Sequence, residues 1–121
     1  MVLARLFAEG RSPPDAFWSA ELISSRLLEY EVFNRVHARG TGPSHAADAR
    51  NLVDRVSLLE MTPRVLARAL LPFPQPVRTL DALHLATMDF LRGEGQTVAL
   101  ATYDQRLAAA AKMLGFPLFG V

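Results

Sequence analysis

Two aspartates near the end of the chain stand where helices are predicted to begin. Asp81 lies in residues 78–86 (RTLDALHLA) and Asp104 lies in residues 101–107 (ATYDQRL). An aspartate in a first helical turn satisfies free backbone amides and offsets the helix dipole, so each has an ordinary structural explanation. Carboxylates at strand and helix ends are also the hard oxygen ligands that Mg²⁺ or Mn²⁺ takes when it handles phosphate. The pair therefore predicts a metal site, provided that further ligands lie nearby.

Glu31 is the third candidate ligand. It follows Leu28 by three residues and Leu27 by four, which places it at the border of the apolar face of a predicted helix. A carboxylate near a core is costly unless it is paired or coordinates a cation, so Glu31 is a better candidate than Glu29. The alternative is a side chain that reaches solvent past the edge of the core.

Three neighbours of the aspartates are weaker candidates. Thr102, two residues before Asp104, would orient that carboxylate or contact a substrate phosphate, although a threonine at a strand end is often only structural. Arg78 would contact a substrate phosphate from beside Asp81. His84 lies one turn after Asp81 and could reach the same ligand, but its apolar neighbours favour a packed imidazole.

The elements that must position these residues alternate between strand and helix. Apolar runs predict strands at residues 20–24, 56–61, 97–101 and 116–121. Helical spacing and capping residues predict helices at residues 25–39, from Ser44 to about residue 55, from Pro63 after a Thr62 cap to about residue 71, from a Thr79 cap to Gly93, and from an Asp104 cap to Gly115. Such alternation predicts a mostly parallel sheet covered on both faces, with ligands beyond the carboxyl ends of the strands.

Packing is predicted from the same patterns. The helix of Asp81 is expected to bury one face, formed by Leu80, Leu83, Thr87 and either Leu91 or Phe90. Three aromatic residues could stack on nucleic-acid bases, but core packing is favoured for Phe17, Trp18 and Tyr30. Three further aspartates are expected to be solvated charges on helix faces, namely Asp48, Asp54 and Asp89.

Composition restricts the function classes. A chain of 121 residues, 50% hydrophobic and 21% charged, suits one domain over residues 1–121. No apolar run approaches the roughly 18 residues of a membrane span, and no signal peptide is recognised, so a cytoplasmic location and no membrane partner are expected. The absence of cysteine excludes zinc–thiolate sites and thiol nucleophiles. A net charge of +1 provides no strong field for nucleic acid as a whole.

Three motifs in order carry a resemblance to a known family. Residues 25–32 (SRLLEYEV), followed by residues 78–86 and 101–107, resemble the PIN-domain family and, within it, the VapC-type toxins of bacterial toxin–antitoxin pairs. The resemblance implies a PIN-like α/β fold, with a short, mostly parallel sheet in three α/β/α layers. Matched motif to motif, it places the family's helix glutamate on Glu31 and its third and fourth acidic residues on Asp81 and Asp104.

The same resemblance implies an activity and partners. It implies a Mg²⁺- or Mn²⁺-dependent endoribonuclease whose acidic cluster binds the ion, with RNA as substrate. It also implies a VapB-type antitoxin whose C-terminal tail blocks the site, and a homodimer of the toxin.

The N-terminus departs from the family pattern. Family members open with a short apolar strand that ends in an aspartate, followed by a helix that residues 2–10 (VLARLFAEG) resemble. Neither Glu9 nor Asp15 matches that aspartate. Either the start codon is assigned too late, or the gene is a decayed copy, or residues 1–7 take the place of the strand. The intact downstream motifs favour the first explanation.

The missing aspartate leaves alternatives to catalysis open. With three of four carboxylates, the expected endoribonuclease is incomplete, and cleavage by this chain is in doubt. One alternative is a non-catalytic PIN-like module that binds an antitoxin or RNA. Another is a different metal-dependent phosphotransfer domain, for which Lys112 is poorly placed as the site lysine.

Overall fold

The computed structural model describes residues 14–38, 40 and 42–120, so the predictions for residues 1–10 lie outside it. The chain divides into two compact units, Met1–Leu59 and Glu60–Val121. The described elements are α1 (Asp15–Ser19), β1 (Ile23–Ser25), α2 (Leu27–Ala38), α3 (Gly42–Val53), β2 (Ser57–Leu59), α4 (Pro63–Ala69), α5 (Thr79–Gly93) and α6 (Gln105–Met113). None of these helices is both long and apolar enough to cross a membrane.

The first unit combines a pair of parallel strands with two helices. β1 pairs with β2 from Ile23 opposite Ser57 to Ser25 opposite Leu59. Backbone hydrogen bonds of 2.8 Å close both ends of this ladder. Helices α2 and α3 supply the core, whose buried members are Leu28, Val32, Val36, Ala49 and Val53. The two predicted strands are therefore present, but each is shorter than expected.

The second unit is built on three helices. α4 begins as predicted, since Pro63 is its first residue and the Thr62 hydroxyl accepts a 3.4 Å hydrogen bond from the Val65 amide. α5 and α6 contribute to one buried cluster, formed by Leu85, Met88, Leu107, Ala110, Ala111 and Phe116. Helix α6 ends where predicted, because Gly115 follows it with a φ of 86° that favours glycine.

Two predicted strands in the second unit are reduced to one parallel bridge, between Leu100 and Leu118. The Leu100 amide donates to the Pro117 carbonyl at 2.9 Å, and the Phe119 amide donates to the Leu100 carbonyl at 2.8 Å. Pro117 has no amide proton, so it cannot donate to a longer ladder.

Three details of the helices differ from the predictions. α3 begins at Gly42, so Ser44 lies inside the helix instead of capping it. Arg78, not Thr79, is the N-cap of α5, and its side chain makes no capping hydrogen bond. The predicted buried face of α5 is wrong at Leu80, which is 45% exposed, and correct at Thr87, which is buried. The other predicted members, Leu83, Phe90 and Leu91, are partly buried. The helix instead buries a neighbouring stripe, on which small alanines alternate with large side chains that fill the core: Ala82, Leu85, Ala86 and Met88.

Candidate active site

Asp104 is fixed by the start of helix α6. Its Oδ1 accepts hydrogen bonds from the amides of Arg106 at 2.9 Å and Leu107 at 3.3 Å, as expected of an N-cap aspartate. Its own amide donates to the Thr102 hydroxyl at 3.0 Å. Both capping bonds use Oδ1, so the second carboxylate oxygen is not part of the cap. The predicted cap is confirmed, and one oxygen remains for another role.

Asp81 occupies the first turn of α5 and is partly buried. It lies one turn before Leu85, while Asp104 lies three residues before Leu107, and these two leucines belong to the same buried cluster. The two aspartates therefore stand at the starts of helices that share one core within the second unit. The chemistry expected there is that of oxygen donors at helix N-termini, where negative charge is favourable.

Glu31 and Glu29 lie on α2 in the first unit, and their surroundings differ. The Glu29 carboxylate is paired with Arg50 at 2.7 Å and with Arg26 at 3.7 Å. The hydrogen bond from Arg50 lowers the pKa of Glu29 below its ordinary value, against a smaller opposing effect of burial. Glu31 is partly buried beside Val32, at the border of the core as predicted. Ion pairs thus occupy Glu29, and the choice of Glu31 as a ligand stays a prediction.

The weaker candidates are placed as follows. The Thr102 hydroxyl accepts from the Asp104 backbone amide, and its predicted role in orienting the carboxylate stays a prediction. Arg78 is exposed at the N-cap of α5, three residues before Asp81. His84 is partly buried one turn further along this helix. Their contacts with a substrate remain predictions.

The donor chemistry suits a divalent cation, but the ligand set is incomplete. Carboxylate oxygens are the ligands that Mg²⁺ and Mn²⁺ prefer. Within residues 14–38, 40 and 42–120, however, no three His, Asp or Glu side chains converge to hold an ion. The described residues offer the type of oxygen that such a cation binds, but they do not form a complete coordination shell.

A network around Asp89 was missed at the sequence level. Instead of being a solvated charge, Asp89 accepts from Arg68 Nε at 2.6 Å and from Arg92 at 3.0 Å. Arg92 also donates to the Leu114 carbonyl at 2.6 Å, at the end of α6. Burial raises the pKa of Asp89, but the hydrogen bonds from the two arginines outweigh it and the pKa lies below its ordinary value. One hint was available, since Asp89 and Arg92 are three residues apart on a helix.

Core packing is predicted for three aromatic residues, and the prediction is wrong for Tyr30 but correct for Phe17 and Trp18. Phe17 is buried and meets Trp18 edge-on, with 4.9 Å between the ring centroids. Trp18 packs, partly buried, against the core of the first unit. Tyr30 was expected in the core, but 64% of its surface is exposed on α2. It directly precedes Glu31 in the chain.

The comparison with protein families identifies the class. The PIN domain model matches residues 2–113 of this chain, and the chain therefore belongs to the PIN-domain family. Membership confirms the predicted PIN-like α/β fold class. No solved structure matches the chain.

Curated relatives narrow the resemblance to one group of ribonucleases. The chain is 37% identical over 82 residues to ribonuclease VapC47 of Mycobacterium tuberculosis, a match that covers 68% of this chain and 59% of that protein. It is 40% identical over 95 residues to ribonuclease VapC46 of the same species, covering 77% and 68% of the two chains. It is 32% identical over 93 residues to ribonuclease VapC35 of the same species, covering 76% of this chain and 67% of that protein. The chain thus spans about 59% to 68% of the length of these relatives.

Proposed function

We propose that this protein is a metal-dependent endoribonuclease of the VapC type, the toxin of a VapBC-type toxin–antitoxin system. The observation that carries the proposal is its similarity to three VapC ribonucleases, at 32% to 40% identity, within a PIN-domain match that spans most of the chain. That match runs through both compact units, which supports residues 1–121 as one PIN-like domain.

In this proposal Glu31, Asp81 and Asp104 are the catalytic carboxylates and the ligands of Mg²⁺ or Mn²⁺. A bound divalent cation would offset the negative charge of the phosphate that is cut. The residues of the chain prepare the site: Thr102 holds the backbone of Asp104, and the cap at Oδ1 fixes that carboxylate. Arg78 and Thr102 are proposed contacts of the RNA phosphates.

The proposed partners follow from the same class. A VapB-type antitoxin would bind the toxin, RNA is the substrate, the toxin would form a homodimer, and the pair would act in the cytoplasm.

RNA cleavage by the purified chain tests the proposal. Cleavage should require Mg²⁺ or Mn²⁺, stop with a chelator, and fall at least about 100-fold in Asp81→Asn, the scale on which loss of transition-state electrostatics is felt. Asp48→Asn is the matched control, because Asp48 is an exposed carboxylate on helix α3. Equal background cleavage by wild type, both variants and chelated samples would reject the nuclease for this chain.

A non-catalytic module that binds an antitoxin or RNA is the second candidate. It is favoured by one observation, that no three acidic or histidine side chains converge in the described part of the chain. The same assay separates the two: RNA binding that survives in chelator, together with absent cleavage in Mn²⁺, would favour the binding module.

A further inference from the structure

Residues 73–77 (FPQPV), which we call the strap, directly precede the N-cap of helix α5. Partly buried and exposed side chains alternate along the strap, in the order Phe73, Pro74, Gln75, Pro76 and Val77. Each of its first four residues is a proline or directly precedes one, which restricts the backbone of all four. The strap therefore has few conformations available, and one side of it faces the second unit.

Both ends of the strap pack on the core of the second unit. Phe73 and Val77 contact the buried cluster to which Leu85 of α5 and Leu107 of α6 belong. The Arg68 guanidinium also covers the Phe73 ring, with 4.3 Å between its central carbon and the ring centroid. Apolar contacts have no preferred direction, so they hold the strap on the core without fixing its position along the helices.

Gln75 supplies a directional contact between these two ends. Its Nε2 donates a 3.3 Å hydrogen bond to the Arg106 carbonyl, in the first turn of α6. Within a helix this carbonyl also accepts from the amide four residues later, so the helix does not need Gln75 to satisfy it. We therefore expect the Gln75 bond to add little stability and to fix the register of the strap on α6.

The two ends of the Gln75 bond lead to the two aspartates of the candidate site. Arg106 follows Asp104 by two residues, and the Arg106 amide donates to Asp104 Oδ1 at 2.9 Å. In the other direction the strap ends at Val77, and Asp81 lies four residues later in the first turn of α5. The bond therefore joins the segment that leads into one helix start to the start of the other helix.

We propose that Gln75 is a positioning residue for RNA cleavage, which sets the spacing between the helix starts of Asp81 and Asp104 by fixing the strap on α6. This rests on the proposed function, in which both aspartates are catalytic. Groups that act together in a reaction must be held accurately, because a displacement of about 1 Å can cost about 100-fold in rate. Gln75 itself touches neither the substrate nor the reacting atoms, so it acts on the rate of cleavage and not on RNA affinity.

Cleavage kinetics of the purified chain give the first test. Gln75→Met keeps the length of the side chain but removes the donor, and should lower kcat about 10- to 100-fold while KM changes by less than about twofold. Its melting temperature should stay within about 4 °C of wild type, the shift expected for one hydrogen bond. Gln96→Met is the matched control, because Gln96 is an exposed glutamine of the same unit, and it should keep the wild-type kcat.

A spectroscopic arm measures the spacing itself and needs no substrate. The chain contains no cysteine, so two nitroxide labels can be attached through Thr79→Cys on α5 and Ala109→Cys on α6, both at exposed positions. Dipolar electron paramagnetic resonance then gives the distribution of distances between the labels. This distribution should broaden or shift when Gln75→Met is added, and it should stay unchanged when Gln96→Met is added.

The outcomes separate this proposal from the proposed function. Cleavage by wild type with an equal kcat in Gln75→Met would overturn the positioning role alone, and so would an unchanged distance distribution. A fall in kcat that matches a loss of folded protein would assign Gln75 to stability and overturn the positioning role as well. A wild type that does not cut RNA would overturn both proposals.

Discussion

Arginine–carboxylate pairs serve the two units of this protein in different ways. In the first unit Arg50 joins Glu29 on the neighbouring helix at 2.7 Å, and the two side chains are 45% and 22% exposed. In the second unit Asp89 and Arg68 are only 26% and 21% exposed and meet at 2.6 Å. Charges attract one another more strongly where water is excluded, and a partner left alone there is more costly. The Asp89–Arg68 pair is therefore the better shielded structural joint of the two, because its arginine is about half as exposed as Arg50.

The contacts of Asp89 also connect three helices of the second unit. Asp89 on α5 binds Arg68 on α4, and Arg92 carries the connection to the Leu114 carbonyl at the end of α6. One nitrogen of Arg68 is already buried without a hydrogen bond among the described residues. The stability of the second unit is therefore expected to be sensitive to removal of the Asp89 carboxylate.

Removal of that carboxylate should have the largest effect. We expect Asp89→Ala to lower the free energy of unfolding by about 2–3 kcal/mol, because the partly buried Arg68 and the more exposed Arg92 both lose their acceptor. Urea denaturation followed by circular dichroism measures this loss. Asp48→Ala is the control at an exposed carboxylate and should change it by less than about 0.5 kcal/mol. Equal losses in the two variants would mean that the joint is as solvated as the surface.

Acid should act on the same residue. The pKa of Asp89 is lowered in the folded state, so its contribution is complete above the ordinary value of about 3.9 and is lost as the pH falls through the lower folded value. The difference in melting temperature between wild type and Asp89→Asn should therefore be constant near neutral pH and shrink below about pH 4. A difference that persists undiminished at low pH would show that the charge of Asp89 contributes nothing.

Asp104 should show an intermediate effect that separates two roles. Asp104→Ala removes the cap of α6 and should cost about 1 kcal/mol of stability, whereas Asp104→Asn keeps a capping oxygen and should cost much less. If Asp104 is also a catalytic ligand, both variants should lose RNA cleavage. Full cleavage by a stable Asp104→Asn protein would leave the residue with a structural role alone.

The Glu29–Arg50 pair of the first unit, whose arginine is the more exposed, should give the smallest effect. Glu29→Gln should destabilise the protein less than Asp89→Ala, and the loss should disappear near 1 M salt, where the screening length is only about 3 Å. Urea denaturation at low and high salt measures it. A loss equal to that of Asp89→Ala, and insensitive to salt, would remove the contrast between the units.

The sequence revealed local features and missed those that depend on distant partners. The Thr62–Pro63 start of α4 and the Asp104 cap of α6 were predictable, because a cap acts within three residues of itself. The pairing of Glu29 with Arg50 and that of Asp89 with Arg68 were not, since each of these partners lies 21 residues away along the chain. The same limit explains why the buried stripe of α5 was misassigned, as both candidate stripes are apolar and only packing chooses between them.

The candidate site follows the same rule. Its residue types were recognisable from short motifs, and the placement of Asp81 and Asp104 at helix starts agrees with those motifs. The convergence of several carboxylates on one ion is a property of tertiary structure, which no single motif contains. The exposure of Tyr30 was likewise unpredictable, because an aromatic residue within an apolar run ordinarily packs inward.

The position of Trp18 makes the contrast between the units observable. It is the single tryptophan of the chain and packs against the core of the first unit. Its fluorescence therefore reports the environment of that unit, whereas far-ultraviolet circular dichroism sums the helices of both. Both signals can be recorded on one sample of Asp89→Ala. They would show whether removing the Asp89 carboxylate in the second unit also changes the environment of Trp18 in the first.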